Sequence, residues 1–346
     1  MLSTFAPRTN HFMIVFQNKE KMMKAIICEN YGPPSGLKLK EIARPTPGDK
    51  EILIKVHASS CNAADWHLMR GEPYLARLAF GLFHPKFKIL GVDVAGTVEA
   101  VGKAVTQFKV GDEVYGDLSS HKFGAYAEYA LAKESSIYLK PINMTFQQAA
   151  ALPLASITAL QGLRDHAKIT AGQKILIVGA SGGVGSYAVQ IAKAKGATVT
   201  GVCSTKNVEF VRSLGADNVI DYTKQDFTKS GEQYDLIFDV AATKSLFQIR
   251  HALTANGYYL NGGGDTLFHT ILWAPILSMF GRKKFGIFLA TSTQADLKEI
   301  KELAESGKIR PEIEMVLSLA KISDAINHLE SKRTRGKIVI DNLNVE

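Results

Sequence analysis

A glycine-rich turn between an apolar strand and an amphipathic helix constrains this fold more than any other feature of the sequence. Residues 175–185 read ILIVGASGGVG, and a second apolar strand pattern follows at residues 198–202. Gly179 and Gly182 allow the backbone to turn and to approach a diphosphate, while Gly185 allows the helix to pack close to the sheet. The helix N-terminus then faces the phosphate charge. This unit predicts a dinucleotide site, and a purely structural turn is the alternative.

Apolar strand patterns alternate with helical patterns from residue 173 onward. Alternation of this kind implies right-handed crossovers and a parallel, doubly wound sheet. We expect strands at 175–178, 198–202, 219–220, 236–240, 258–260 and 287–290, and helices at 184–195, 207–214 and 245–253. A last amphipathic helix is predicted at 296–306. The tail then returns to strand patterns that end at 337–340, which we expect to pack onto the first domain.

Length and a change of pattern predict the remaining organisation. A chain of 346 residues predicts two domains. Residues 23–145 combine short strand patterns with turns and lack a long amphipathic helix, which is typical of a mostly β domain. The predicted divisions are an extension at 1–22, the mostly β domain at 23–145, the dinucleotide-binding domain at 146–292 and a C-terminal return at 293–346. We expect the extension to be disordered, with a weak organelle-targeting peptide as the alternative.

Charge and cysteine content exclude several classes of protein. The 41 basic and 33 acidic residues leave a net charge of +8, but they are mixed along the chain. This pattern argues against a nucleic-acid partner, and an anionic small ligand would use the same excess. Three cysteines that lie far apart in sequence cannot form a disulfide framework or a Cys-x-x-Cys zinc site. They are typical of a reducing compartment, and we expect a cytoplasmic protein.

One apolar stretch, residues 268–290, has to be compared with a membrane span. Pro275 and the basic residues 282–284 interrupt it, so its continuous apolar part covers only residues 271–280. A bilayer span needs about 20 apolar residues. We therefore predict no transmembrane segment and interpret this stretch as buried or as part of a cleft wall. Peripheral contact with a membrane is the alternative.

The end of the second strand indicates which dinucleotide is bound. An NAD enzyme usually places an acidic side chain there to hold the ribose 2′-hydroxyl. Residues 201–206 read GVCSTK and contain no acid. Ser204, Thr205 and Lys206 offer hydrogen bonds and positive charge to a 2′-phosphate instead. The pattern favours NADPH over NADH, although Lys206 alone could be a solvated lysine.

Residues 172–193 resemble the signature of the quinone oxidoreductases and ζ-crystallins, a branch of the medium-chain dehydrogenase/reductase superfamily. The matching positions are Gly172, Gln173, Leu176, Ala180, Ser181, Gly182, Gly183, Gly185, Gln190 and Lys193. Further blocks that resemble the family are 47–49, Asn62 with Asp65, 70–71, 91–96, 110–114, 214–217 and 335–337. The similarity spans residues 23–340. It implies an α/β protein with a GroES-like, mostly β catalytic domain and a Rossmann domain with a doubly wound parallel sheet.

Residue types at the zinc positions of the superfamily favour the zinc-independent branch. Zinc alcohol dehydrogenases carry a cysteine where this chain has Asn62, and Gly-His-Glu where it has residues 91–93. Val92 cannot bind a metal, and a catalytic zinc needs three protein ligands. The structural zinc lobe needs four closely spaced cysteines, and the sequence has none between Cys61 and Cys203. We therefore predict no metal site.

The resemblance also implies roles for individual residues. Asn62 would line the nicotinamide and the substrate oxygen, and Thr158 would contact the carboxamide; a buried turn asparagine is the alternative for Asn62. His67 stands where relatives often carry a tyrosine, so it is a candidate general acid or a packing residue. The predicted cofactor-binding residues are Gly179, Ser181, Gly182, Gly183, Val184, Gly185, Ser204, Thr205, Lys206, Tyr222, Val240, Gly262 and Gly263.

The leading hypothesis is an NADPH-dependent, zinc-independent reductase of quinones or of α,β-unsaturated carbonyls. Residues 73–89 and 268–280 would wall an apolar cleft for a small hydrophobic substrate. Oxidation of alcohols is disfavoured because no metal would polarise the alkoxide. An NADPH-binding protein with a structural or regulatory role and little turnover is the alternative from another class. The resemblance also leads us to expect a homodimer.

Overall fold

The computed structural model describes residues 21–264, 267–279 and 281–344. The strands are β1 (Met22–Ile27), β2 (Lys38–Ala43), β3 (Glu51–Ser60), β4 (Asp93–Val101), β5 (Glu113–Asp117), β6 (Tyr129–Lys133), β7 (Ile137–Leu139), β8 (Lys174–Val178), β9 (Thr198–Cys203), β10 (Asn218–Asp221), β11 (Tyr234–Asp239), β12 (Leu253–Asn261), β13 (Lys284–Ile287), β14 (Ile313–Ser318) and β15 (Lys337–Asp341). The α-helices are α1 (Ala63–Arg70), α2 (Arg77–Phe80), α3 (Phe146–Ala150), α4 (Pro153–Gln161), α5 (Gly183–Ala194), α6 (Val208–Ser213), α7 (Leu246–Ile249), α8 (Leu267–Met279), α9 (Gln294–Glu305) and α10 (Ile322–Glu330). Helix α4 continues as a π-helix at Gly162–His166.

The first half of the chain forms the predicted mostly β domain. Its main sheet has the strand order β14–β15–β3–β4–β5–β7, with β6 also paired to β3, and β1 and β2 form a separate antiparallel pair. Ile52, Ile54 and Val56 are buried in one apolar cluster with Val94 and Val98. Alternate residues of a strand share a face, so this spacing explains why one side of the β3–β4 pair is core.

The second half forms the predicted parallel, doubly wound sheet. Its strand order is β10–β9–β8–β11–β12–β13, and each pairing is parallel. Ile175 and Ile177 are buried in one apolar cluster, whereas Leu176 and Val178 are buried in another. A parallel sheet covered on both faces requires continuous apolar strands, and the run at 175–178 has this pattern.

The C-terminal region returns to the first domain. Strand β15 runs antiparallel to β3, with Val339 opposite Ser60, and parallel to β14. As a result, the first residue of β15, Lys337, lies beside the end of β3. This connection brings a distant part of the chain to the residues that precede α1.

Three details of the second half differ from the sequence expectations. The strand predicted at 287–290 is β13 (Lys284–Ile287), which ends where the strand was expected to begin. It is residues 284–287 that pair with β12. Val240 follows β11 instead of belonging to it. Helix α10 was missed, and α9 is therefore not the last helix. The burial of Ile322, Ala325 and Ile326 on one face shows the helical spacing that could have revealed α10.

The apolar stretch around Pro275 forms α8, with Pro275 inside the helix. Ala274 is buried against the parallel sheet, while Leu272 and Met279 are largely exposed. Within the described part of the chain, no helix has both the length and the apolar character needed to cross a bilayer.

Candidate active site

Asn62 lies at the junction between the end of β3 and the start of α1. It is the N-cap of that helix, and its backbone N–H donates to Asp65 Oδ2 at 2.8 Å. An N-cap residue has extended backbone angles, which lets the chain change direction between the strand and the helix. The junction therefore holds the Asn62 side chain at a fixed place beside β4 and β15.

Both ends of the Asn62 carboxamide are engaged within the protein. Its Nδ2 donates to Asp93 Oδ2 at 2.8 Å, and its Oδ1 accepts from Lys337 Nζ at 2.6 Å. Asp93 is the first residue of β4, and Lys337 is the first residue of β15. Asn62 is 6% exposed. Asn62 is a residue that the sequence predicted for the site, whereas its partners Lys337 and Asp93 were not predicted site residues.

Thr158 and His67 occupy well-defined positions on two different helices. Thr158 is nearly buried in α4, and its hydroxyl donates to Leu154 O at 2.7 Å. The hydroxyl oxygen still has lone pairs with which to accept a hydrogen bond. His67 lies in the last turn of α1, with its ring 3.6 Å from that of Trp66 and its Nδ1 3.1 Å from Glu72 O. The roles predicted for both residues remain predictions.

The glycine-rich turn fits a dinucleotide. Gly179 has φ +82°, a left-handed conformation that favours glycine. A Cβ on Gly185 would lie 2.1 Å from Gly179 O, so only glycine permits this approach of helix to turn. Gly182 is the N-cap of α5, and the amide groups of Gly183 and Val184 therefore belong to the first turn of that helix. A helix N-terminus offers such N–H groups and a positive dipole end to a diphosphate.

The C-terminal tail packs on the same turn. Gly336 N donates to Ser181 O at 2.8 Å, and a Cβ built on Gly183 would lie 3.2 Å from Lys337 Cδ. The Ser181 hydroxyl accepts from Asn207 Nδ2 at 3.0 Å. Sequence reasoning missed Asn207, although it follows the predicted cofactor residues directly.

A hollow of about 410 Å³ lies where β9 and β10 end. Its lining residues are Ser204, Thr205, Lys206, Tyr222, Thr223 and Arg333. The predicted 2′-phosphate residues therefore meet around one space, together with an arginine from the C-terminal tail. Arg333 was missed because it lies more than a hundred residues away in sequence. Its position in the basic segment 332–337 is the sequence feature that could have indicated it as a residue of this hollow.

The carboxylate of Asp221, beside this hollow, accepts a hydrogen bond from Thr205, which is one of the residues predicted to bind the 2′-phosphate. The Thr205 hydroxyl donates to Asp221 Oδ2 at 2.6 Å, and Thr223 N donates to Asp221 Oδ1 at 3.0 Å. These hydrogen bonds, led by that from Thr205, lower the pKa of Asp221 to about 2. Thr205 is thus a partner of Asp221 in this structure. Ser204, Lys206 and Arg333 also line the hollow, the last two with a positive charge.

The other predicted cofactor residues follow β11 and β12. Val240 comes directly after β11, and Gly262 and Gly263 come directly after β12. The Gly262 N–H donates to Asp239 O at 2.9 Å, and the Gly263 N–H donates to Asn261 Oδ1 at 2.8 Å. Because β8, β11 and β12 are parallel neighbours, these residues lie at the same edge of the sheet as the glycine-rich turn. Ligands of open α/β sheets bind at that edge.

The segment predicted to wall the substrate cleft exposes apolar side chains. A hollow of about 410 Å³ is lined by residues 72–75, and Leu78 and Phe83 are 76% and 79% exposed. Phe87 instead packs edge-on against Phe123, with ring centroids 5.2 Å apart. The structure thus leaves apolar surface in this segment, and its role as a cleft wall stays a prediction.

The positions that bind zinc in other members of the superfamily carry different chemistry here. Val92 is fully buried and apolar, and Asp93 is engaged with Asn62 and Lys337. Among the residues that the structure describes, no group of three or more His, Cys, Asp or Glu side chains could hold a metal ion.

Comparisons with known proteins agree with this architecture. Residues 48–142 match the family described as alcohol dehydrogenase GroES-like domain, and residues 214–340 match the family described as zinc-binding dehydrogenase. A chloroplastic quinone-oxidoreductase homolog from Spinacia oleracea is 35% identical over 93% of this chain and 99% of its own length. A chloroplastic NADPH-dependent alkenal/one oxidoreductase from Arabidopsis thaliana is 35% identical over 92% and 80%. The solved quinone oxidoreductase from Coxiella burnetii is 31% identical and superposes with a TM-score of 0.84, covering 93% of this chain and 100% of that structure.

A GroES-like domain joined to a Rossmann domain, with a glycine-rich turn at their junction, defines an NAD(P)-binding oxidoreductase. The chain belongs to the medium-chain dehydrogenase/reductase superfamily and, within it, to the branch that contains the quinone oxidoreductases and enone reductases.

The expectation of a cytoplasmic protein is wrong. Plant relatives from Spinacia oleracea and Triphysaria versicolor are named as chloroplastic proteins, and a relative from Bos taurus is named as a mitochondrial one. The expectation rested on the sparse cysteines, which indicate a reducing environment. Organelle interiors share that property, so cysteine content could not distinguish the two locations.

Proposed function

We propose that this chain is an NADPH-dependent, zinc-independent reductase that transfers hydride to a quinone or to the C=C bond of an α,β-unsaturated carbonyl. The observation that carries the choice of NADPH is the hollow at the end of β9. It presents Lys206, Arg333 and Ser204, and β9 ends at Cys203 without the carboxylate that an NAD enzyme places there. The names of the relatives support both classes of acceptor.

The residues of this chain divide the binding of the dinucleotide into separate tasks. The first turn of α5 and the turn residues Ser181 and Gly182 would hold the diphosphate, and Lys206 with Arg333 would hold the 2′-phosphate. When bound, NADPH supplies the hydride, while the protein provides orientation and electrostatics. Asn62 and Thr158 would then border the nicotinamide, which would place the acceptor between the two domains.

The proton that completes the reduction needs a donor. His67, in the helix that Asn62 caps, is the candidate, because the ordinary pKa of a histidine suits a proton donor near neutral pH. Its stacking on Trp66 and its contact with Glu72 O hold the ring in one orientation. This arrangement is compatible with a proton donor and also with a packing residue, and the His67 variant described below distinguishes the two.

Steady-state kinetics with both dinucleotides tests the proposal. NADPH oxidation is followed with naphthoquinone, with an alkenal and without an acceptor. Lys206→Ala and Arg333→Ala should each raise the KM for NADPH about tenfold and leave the KM for NADH nearly unchanged, because only NADPH carries the additional phosphate. Lys229→Ala, which removes an exposed lysine that neither lines the hollow nor pairs with Asp221, is the matched control. Equal effects on both dinucleotides would contradict the assignment of the hollow.

We also infer that the protein is a homodimer. Strand β13 is the edge of the parallel sheet, and in the described part of the chain its outer side pairs with no other strand. Beside it, α8 exposes Ile271, Leu272 and Met279. Light scattering should give twice the 37.7 kDa mass of the chain. A monomer at assay concentrations would contradict this inference.

We further propose an organellar location, which the names of the plant and mammalian relatives support. Imaging of the full chain with a C-terminal fluorescent fusion tests it. A diffuse signal outside the organelles would contradict it.

A further inference from the structure

The carboxylate of Asp93 is the centre of a buried hydrogen-bond network that connects four parts of the chain. Its Oδ2 accepts from Ser60 Oγ at 2.6 Å, from Asn62 Nδ2 at 2.8 Å and from Lys337 Nζ at 3.3 Å. Its Oδ1 accepts from Leu154 N at 2.9 Å. The donors come from the end of β3, the cap of α1, the start of β15 and the first turn of α4. The network therefore includes residues of both domains.

Lys337 joins this network to the dinucleotide turn. Its ammonium group contacts Asp93 and Asn62. The Cδ atom of the same side chain would lie only 3.2 Å from a Cβ built on Gly183. Asp93 is fully buried and Lys337 is 3% exposed. One side chain thus spans from the turn expected to hold the diphosphate to the carboxamide expected to border the nicotinamide.

The network leaves the Asn62 carboxamide one orientation. Its oxygen faces the Lys337 ammonium, which can only donate, and its Nδ2 faces the Asp93 carboxylate, which can only accept. Rotating the amide by half a turn would set donor against donor and acceptor against acceptor. A buried ion pair contributes little to stability compared with apolar residues of the same volume, whereas it can specify one arrangement strongly.

We propose that Asp93 and Lys337 are positioning residues, which orient the Asn62 carboxamide and hold α4, with its Thr158, in register for hydride transfer. This inference rests on the proposed function, because it assumes that Asn62 borders the nicotinamide. A misplacement of reacting groups by about 1 Å reduces turnover by about a hundredfold. The pair therefore governs kcat, whereas a purely structural pair would govern only stability.

The test compares Asp93→Asn, Lys337→Met and the double variant in the full-length protein. Each single variant leaves one buried charge without its partner, so both lose thermal stability and kcat. The double variant removes both charges and should recover most of the unfolding midpoint. Its kcat should stay between about tenfold and about a hundredfold below that of the wild type, since Asn62 Oδ1 has lost its donor. Deuterium in the transferred position of NADPH should give a larger isotope effect on kcat than in the wild type.

Ser59 and Ser60 supply a matched pair of controls. Ser60→Ala removes one donor to Asp93 and should lower kcat severalfold. Ser59→Ala removes an equally buried hydrogen bond one residue earlier in β3, from Ser59 Oγ to Asn342 Oδ1 at 2.9 Å, which does not involve Asp93. It should leave kcat unchanged, because neighbouring strand residues face opposite sides of the sheet.

Three outcomes would overturn the inference. The first is recovery of kcat together with stability in the double variant, and the second is an unchanged isotope effect. The third is a Lys337→Met variant that loses only NADPH affinity, which would make Lys337 a direct phosphate ligand. If neither a quinone nor an alkenal supports NADPH oxidation by the wild type, the proposed function fails instead. The pair is then judged from the fluorescence of bound NADPH, which should change in the double variant and not in Ser59→Ala.

Discussion

The buried carboxyl group of Asp65 should make the stability of this protein depend on pH, and one substitution should remove that dependence. Asp65 is fully buried in the first turn of α1, where its Oδ2 accepts from the Asn62 N–H at 2.8 Å. Burial raises its pKa from 3.8 to about 7, against the opposing hydrogen bonds from the Asn62 N–H and from the side chain of Tyr126. Between these two values the folded protein holds a proton that the unfolded chain releases.

The sign and size of the effect follow from this difference. Stability from Asp65 is fully present below the unfolded pKa and is lost as pH rises through the folded one. Each pH unit well inside this range lowers the free energy of unfolding by about 1.4 kcal/mol, and the slope falls near pH 7, so roughly 2 kcal/mol is lost between pH 5 and 7. In Asp65→Asn the amide oxygen can still accept from the Asn62 N–H, and the side chain does not titrate. The free energy of unfolding of this variant, relative to that of the wild type, should therefore rise by about that amount between pH 5 and 7.

Urea unfolding of both proteins from pH 5 to 8 measures the difference, and other titrating groups cancel in it. Asp117→Asn is the matched control, because burial raises the pKa of Asp117 to about 6 and its Oδ1 accepts from Ser119 N. The stability that Asp117→Asn gains relative to the wild type should stop rising with pH about one pH unit lower than the gain of Asp65→Asn does. A free-energy difference between Asp65→Asn and the wild type that is constant from pH 5 to 8 would refute the reasoning.

Three further predictions concern the site. Gly185→Ala would place a Cβ 2.1 Å from Gly179 O and should abolish NADPH binding or soluble expression, as measured by fluorescence titration of purified protein. His67→Gln should lower kcat at least about tenfold and remove one limb of the pH–rate profile if His67 donates the proton, whereas a packing residue would change only the melting temperature. Asp221→Asn should lower the KM for NADPH by about threefold at low salt, because it removes a negative charge beside the hollow, and should leave the KM for NADH unchanged.

Local patterns explain which parts of the fold could be predicted. The apolar run 175–178 with the glycines after it encodes strand, turn and helix within a few neighbouring residues, so the sequence was sufficient for this unit. Helix α10 shows the limit of the same method. Its buried face is spaced as in a helix, but it lies between short strand-like segments, and the packing of Ile322 and Ile326 against the first domain decides its conformation.

The glycine-rich turn, the absence of an acid after the second strand and the replacement of zinc ligands by Asn62 and Val92 were all evident in the sequence, because each depends on residue type at a local position. Only the tertiary structure brought Lys337 and Asp93 to Asn62, and Arg333 to Lys206. These partners are between 31 and 275 residues apart, and no local periodicity connects them. Pairing of β15 with β3 closes that distance, and the energetic requirement that buried charges find partners then selects the network.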